Sequence, residues 1–151
     1  MNILITGSKG QLGNEMQLAA VRYPQFGYIF TDIDELDICD KAALEAFVKA
    51  NAVDVIVNCA AYTAVDKAED DVDLCYKINR DAVENIALVA SANGLKVIHV
   101  STDYVFDGEG QHYRSEKELP NPLNVYGETK LAGELAISRL NPRHLIFRTS
   151  W

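Results

Sequence analysis

Tyr126 and Lys130 stand four residues apart in a stretch, Tyr126 to Leu140, that reads as a helix, and this spacing brings a phenol and an ammonium onto one face. An ammonium beside a phenol favours the phenolate by charge attraction, lowering the pKa toward the working range of an acid/base catalyst. A phenol so tuned can hand a proton to a carbonyl oxygen as hydride arrives at carbon. Taken alone, a Y-x-x-x-K pair more often holds a packed tyrosine and a solvated lysine. Two further elements change that weighting. Gly7, Gly10 and Gly13 follow the apolar run Asn2-Ile3-Leu4-Ile5, and a strand turning sharply into a helix leaves backbone N–H groups that hold a pyrophosphate. The run Lys96 to Val100 ends in Ser101-Thr102-Asp103, where a hydroxyl can hydrogen-bond a substrate carbonyl. Each signal is open to a plainer explanation. The spacing G-x-x-G-x-x-G departs from the commonest G-x-G-x-x-G fingerprint and also fits a simple strand-to-helix joint, while Thr102 also suits a turn. Their order carries the argument: glycine loop on the first strand, hydroxyl after a later strand, then tyrosine and lysine on the next helix.

Apolar strands alternating with helical periods demand a parallel sheet covered on both faces, an α/β, doubly wound, Rossmann-like fold. The pattern predicts strands at Asn2 to Thr6, Gly27 to Thr31, Val55 to Asn58, Val97 to Ser101 and His144 to Arg148, with a short one near Glu35 to Asp37. Helices are expected at Gln11 to Tyr23, Lys41 to Ala50, Val72 to Asn93 and Tyr126 to Leu140, with Asp40 as an N-cap and Gly94 as a stop. Asn79 interrupts the apolar stripe of the third helix and requires a partner. From Asp103 to Asn124 no period appears, and so long a connection in a compact domain is usually functional. Pro120 and Pro122 keep the last helix from starting much before Tyr126.

Cofactor choice turns on Asp32 at the end of the second strand. A carboxylate there accepts a hydrogen bond from a ribose 2′-hydroxyl and repels a 2′-phosphate, which favours NADH. Lys9 in the glycine loop pulls toward NADPH. Either cofactor remains open.

With 48% hydrophobic and 24% charged residues the chain has ordinary globular values, and 151 residues suit one domain. A net charge of -8 argues against nucleic acid and acidic membranes as partners. No apolar run approaches the ~20 residues that span a bilayer, so the cytoplasm is the default location. Cys39, Cys59 and Cys75 read as small core residues in a reducing compartment. No metal spacing involves them or His99, His112 and His144, for which structural or surface roles are favoured.

Five segments together resemble the extended short-chain dehydrogenase/reductases, and among them the sugar-nucleotide reductases. They are Met1 to Gly7, Asp54 to Glu69 with its V-D-K-A-E string, Ser101 to Phe106, Pro122 to Glu134 with N-V-Y-G-E-T-K-L-A-G-E, and Phe147 to Trp151. The resemblance implies reduction of the 4-keto group of dTDP-4-dehydro-L-rhamnose to dTDP-L-rhamnose, with NADPH or NADH as cofactor. It implies Tyr126 as proton donor, Lys130 as its pKa-lowering partner and ribose ligand, and Thr102 as the group that hydrogen-bonds the carbonyl. Within the cofactor site Gly10, Gln11 and Leu12 would line the pyrophosphate, with Gly7 making the tight turn and Gly13 the contact of helix with strand; Asp37 and Ile38 would flank the adenine beyond Asp32, though Asp37 equally suits a cap on the turn after a strand, and Ala60, Ala61 and Tyr62 would line the middle of the cofactor. Asp103 and Trp151 would touch the dTDP-sugar, and a homodimer is left open. Because such reductases are nearly twice as long, residues 1–151 are expected to form a dinucleotide-binding Rossmann domain, a fragment lacking most of the substrate domain. Its uncovered apolar surface on the final strand and helix would promote self-association. Two alternatives stay open: an epimerase or dehydratase of the same superfamily, and a noncatalytic dinucleotide-binding regulatory subunit.

Overall fold

A computed structural model describes residues 1–110 and 113–150, so the expectations for His112 and Trp151 lie outside the described residues. Five parallel strands, β1 (Asn2–Thr6), β2 (Gly27–Thr31), β3 (Val55–Asn58), β4 (Lys96–Thr102) and β5 (His144–Thr149), lie in the order β2-β1-β3-β4-β5. The chain runs from β1 outward to β2 and then returns past β1 to β3. This reversal opens a crevice at the C-terminal ends of β1 and β3, where open α/β sheets bind ligands.

Strand parity assigns the two faces of the sheet. Leu4, Ile56 and Val97 point to one face, where they pack with Leu44 and Val48 of α2 (Lys41–Ala50), Val83 and Ile86 of α4 (Ala82–Ala92) and Ile137 of α5 (Val125–Leu140). Ile5, Val55 and Val57 point to the other and meet Met16 of α1 (Gln11–Ala20). Both faces are covered near β1, and toward β5 one face is open, in line with the uncovered apolar surface expected on the final strand. Leu145 and Phe147 project on the α1 side of the sheet, remote from α1, and are 57% and 55% exposed.

Three further differences from the sequence reading have local causes. The short strand near 35–37 is a turn, because the Asp32 carbonyl accepts both Glu35 N–H (3.0 Å) and Leu36 N–H (2.8 Å). Helix α1 ends at Ala20, and the N–H groups of Arg22 and Tyr23 close tight turns back onto Ala19 and Ala20. The expected single helix over 72–93 is α3 (Val72–Tyr76) joined to α4 by a π-helical turn, Lys77–Asp81, with Asn79 inside it. Such turns insert a residue and press backbone outward. Here the Asn79 carbonyl sits where a side chain at Gly133 of α5 would stand, so glycine is required for the two helices to approach. Asp40 caps α2 by accepting the Ala43 N–H at 3.0 Å, and Gly94 takes a left-handed φ of 68° after α4, as expected.

Candidate active site

The crevice is a cleft of about 910 Å³ running from the glycine loop to the end of β4. Thr102, Tyr126 and Lys130 line one end, and Gly7, Gly10, Gln11, Leu12, Asp32, Asp37, Ile38, Ala60 and Ala61 line the remainder with Asp103. Gly7 adopts φ 68°, and a Cβ there would stand 2.7 Å from the Ala60 Cα, so only glycine lets β1 turn this close to the segment after β3. Helix α1 is capped by Gly10, which offers no side-chain acceptor. Its first-turn N–H groups, at Gln11 and Leu12, are therefore left for an anion in the cleft.

Two residues of the expected cofactor site stand off the lining of the cleft. Gly13 is buried beneath the loop, where a Cβ would collide with the Gly7 carbonyl and the Ser8 backbone, and it joins helix to strand as its place in the glycine loop predicts. Tyr62 is not among the residues lining the cleft, for its phenol donates to Asp71 Oδ2 (3.0 Å) and its ring packs with Ala68, Cys75 and Tyr126. Asn79 dictates that placement. Its Oδ1 accepts the Tyr62 N–H (2.9 Å) while its Nδ2 donates to the Tyr62 carbonyl and the Thr129 hydroxyl, both at 3.1 Å. The polar interruption in the third helical stretch is thus a brace between the segment after β3 and the helix carrying Tyr126.

Helix α5 starts where the prolines require: Asn124 caps it by accepting the Gly127 N–H at 2.7 Å. A Cβ on Gly127 would meet the Tyr104 carbonyl, so glycine lets the turn after β4 lie against the helix. Tyr104 then packs edge-on against Tyr126, with ring centroids 5.5 Å apart. One turn beyond Lys130 on α5, Glu134 accepts three hydrogen bonds from the Arg148 guanidinium of β5 (2.6, 3.0 and 3.2 Å).

Electrostatics differ from the simple expectation of an ammonium lowering the pKa of its neighbour. Burial pushes the Tyr126 phenol above the usual tyrosine value, and the Thr102 hydroxyl pulls it partway back. Lys130 is almost wholly buried, and desolvation brings its ammonium down to about 8 against the opposing pull of Glu134. Its Nζ donates to the Val100 carbonyl at 2.8 Å, so the charge is spent on β4 rather than on the phenol. At neutral pH the phenol keeps its proton and lysine stays mostly charged. That is the ionisation state a proton donor needs.

Sequence reasoning missed several residues of the cleft, among them Cys59, Thr63, Val65 and Tyr104. Tyr104 was open to discovery from its place directly after Thr102-Asp103. Also missed was a buried polar ladder under the cleft floor, in which Thr6 donates to Asn58 Oδ1 (2.6 Å) and Asn58 Nδ2 donates to His99 Nδ1 (3.1 Å).

The model of the family described as RmlD substrate binding domain matches residues 1–151. The chain belongs to this family. It is 46% identical to the dTDP-4-dehydrorhamnose reductase of Escherichia coli strain K12 and 45% identical to that of Salmonella typhimurium, covering all of this chain and 51% of each relative. Among solved structures, a dTDP-4-dehydrorhamnose reductase of Clostridium acetobutylicum superposes with a TM-score of 0.96 at 44% identity, covering 100% of this chain and 54% of that one. The enzyme of that name from Bacillus anthracis, solved in complex with NADP, gives 0.95 at 37% identity over 99% of this chain and 53% of that one. This chain of the RmlD substrate-binding family therefore spans about half the length of the relatives it matches. At 21% identity, a UDP-glucose 4-epimerase of Brucella ovis shares the fold alone, with a TM-score of 0.89.

Proposed function

We propose that residues 1–151 are the dinucleotide-binding portion of a cytoplasmic reductase that uses NADPH or NADH to reduce the 4-keto group of dTDP-4-dehydro-L-rhamnose to dTDP-L-rhamnose. The observation that carries the reading is the convergence of Thr102, Tyr126 and Lys130 on the cleft that begins at the glycine loop. Likeness to dTDP-4-dehydrorhamnose reductases along the whole chain supports the choice of sugar nucleotide. The cleft fits a dinucleotide: Gly7 and Gly10 clear its floor, and the uncapped start of α1 offers N–H groups to a pyrophosphate. When bound, the cofactor supplies hydride to the carbonyl carbon. The protein's part is proton supply and orientation. Thr102 and the Tyr126 hydroxyl hold the carbonyl oxygen, and Tyr126 gives it a proton. Lys130, its own head fixed by Val100, places a cation behind the phenol and toward the cofactor ribose. Asp103 and Trp151 contact the sugar nucleotide in this reading.

The test is consumption of NADPH or NADH on addition of dTDP-4-dehydro-L-rhamnose, in a protein of the relatives' length that carries these residues. Tyr126→Phe should lower kcat by about two to four orders of magnitude, the usual worth of one general acid. An unchanged rate would remove Tyr126 from its role. Net cofactor consumption separates a reductase from an epimerase, which regenerates its cofactor.

A further inference from the structure

Arg148 of β5 holds two groups at once. Its register partner on β4 is Ser101, so its side chain leaves the sheet on the face that α5 covers. There Glu134, whose side chain is only 6% exposed, accepts the three guanidinium hydrogen bonds described above. The same guanidinium stands over the Phe106 ring, 5.1 Å from its centroid. Phe106 is the neck of the long connection after β4. Its N–H closes a turn onto the Asp103 carbonyl (2.9 Å), and the adjacent Val105 carbonyl accepts the Asn121 N–H (2.9 Å) where the chain returns. From the connection itself Arg114 stands over the same ring at 5.4 Å, tied to Asp107 (2.9 Å) and Glu118 (3.0 Å). Thr102, Asp103 and Tyr104, just before the neck, line the cleft, whereas Phe106 and Arg148 are not among its lining residues.

We propose that Arg148 is a positioning residue: locked by Glu134 to the helix that carries Tyr126, it grips Phe106 and so holds the turn of Asp103 and Tyr104 in place at the sugar-nucleotide end of the cleft. This rests on the reductase reading above and extends it to how the substrate is gripped. A carboxylate as buried as Glu134 is costly unless paired, so the pair acts as a fixed peg between α5 and β5. A planar guanidinium can offer an edge to a carboxylate and a face to an aromatic ring together, which a lysine ammonium cannot. Thr102 is set by the sheet, being the last residue of β4 paired with β5, opposite Thr149. Asp103 and Tyr104 lie beyond that last pair. They depend on contacts with other elements, Tyr104 against Tyr126 and then Phe106 against Arg148. Loosening the grip on Phe106 is therefore felt in binding of the sugar nucleotide, while the proton donor on α5 and the dinucleotide at the glycine loop keep their places.

The experiment compares Arg148→Lys, Phe106→Leu, their combination and Phe106→Tyr. It measures steady-state reduction of dTDP-4-dehydro-L-rhamnose by a protein of the relatives' length that carries these residues, and Kd for NADPH and NADH on this chain. Arg148→Lys keeps a cation for Glu134 and gives up the planar group, whereas Phe106→Leu leaves the ion pair in place and removes the ring. Each should raise KM for the sugar nucleotide about fivefold, with kcat changed by less than about twofold and the dinucleotide Kd unmoved. The double variant should raise KM no further than the larger single one, because both remove the same contact, and Phe106→Tyr, which keeps a ring, should restore it. An unmoved KM in either single variant, additive effects in the double, or a loss shared by kcat and dinucleotide binding overturns the proposal while the reductase reading stands. Absence of reduction by the unsubstituted protein overturns both.

Discussion

Burying the Lys130 ammonium destabilises the fold by an amount that depends on pH, and Lys130→Met exposes it. The group falls from an ordinary lysine value of 10.5 to about 8 on folding. Between those values the unfolded chain holds the proton more tightly than the folded one, so stability rises with pH across that window and is lowest below it. The full cost of the shift, reached near neutral pH, is about 3 kcal/mol. Methionine keeps much of the length and apolar contact of the side chain and removes the charge. It also forfeits the bond to the Val100 carbonyl, worth about 1 kcal/mol. Lys130→Met is therefore expected to be about 2 kcal/mol more stable than the unsubstituted chain near pH 7, with an advantage about 1 kcal/mol smaller near pH 9. Urea unfolding of both proteins at the two pH values checks this. Cys59, pushed up to about 11, and Tyr126 also titrate in alkali, but both remain in the variant and cancel in the comparison. Glu134, Cys59, Cys75 and His99 are the ionisable groups that sense this ammonium. An advantage independent of pH, or an unsubstituted chain that is the more stable at both, would refute the account of Lys130 as a desolvated cation.

Removing the Asn79 brace should be costly. Asn79→Ala unpartners both Tyr62 backbone groups and the Asn79 bond to Thr129, so a loss of about 2 to 3 kcal/mol is expected in urea unfolding. Asn85→Ala, which gives up bonds only to the Ile38 and Cys39 carbonyls at 3.3 and 3.1 Å, should cost less. The open side of β5 should make copies of this chain associate reversibly. Sedimentation velocity is expected to show a concentration-dependent rise in mass that Leu145→Lys with Phe147→Lys abolishes, and a monomer at all concentrations would count against it.

The sheet was legible because each strand is built on a short apolar stretch. Ile3 to Ile5 and Val55 to Val57, and Val97 to Val100 but for His99, leave little choice but burial between layers. The glycine loop and the Tyr126-Lys130 pair were legible for a different reason, since each is a local pattern whose geometry a single turn or helix fixes. What the sequence did not announce is the hold on the Tyr62 backbone, which comes from Asn79, 17 residues away, inside a π-helical turn. The turn at 32–37 likewise depends on one carbonyl, that of Asp32, capturing two N–H groups before Leu36 and Ile38 can extend into a strand. Lys9 shows the same limit in its charges. Its position in the loop was plain, whereas its pairing with Asp34 and Glu35 follows from how β1 and β2 align.

The ladder beneath the cleft keeps a second cation away from Lys130. Thr6, Asn58 and His99 occupy paired positions on adjacent strands, so the change from apolar to polar occurs at one level across β1, β3 and β4. Asn58 Oδ1 accepts from Thr6 and from the Ala60 N–H, which orients its amide and leaves Nδ2 to donate to His99 Nδ1. That bond requires an unprotonated Nδ1, hence a neutral ring with its proton on Nε2. Burial and the nearby Lys130 charge both drive His99 well below its ordinary value, in agreement with the bond. A protonated ring would oppose the Asn58 amide donor with a second donor and set two cations side by side under α5. By holding His99 neutral, the ladder leaves Lys130 as the cation at this depth, and the Val100 carbonyl fixes where that charge sits. The ladder thus ties β1, β3 and β4 together beneath the glycine turn, and the Lys130 bond to the Val100 carbonyl joins β4 to the helix that carries Tyr126.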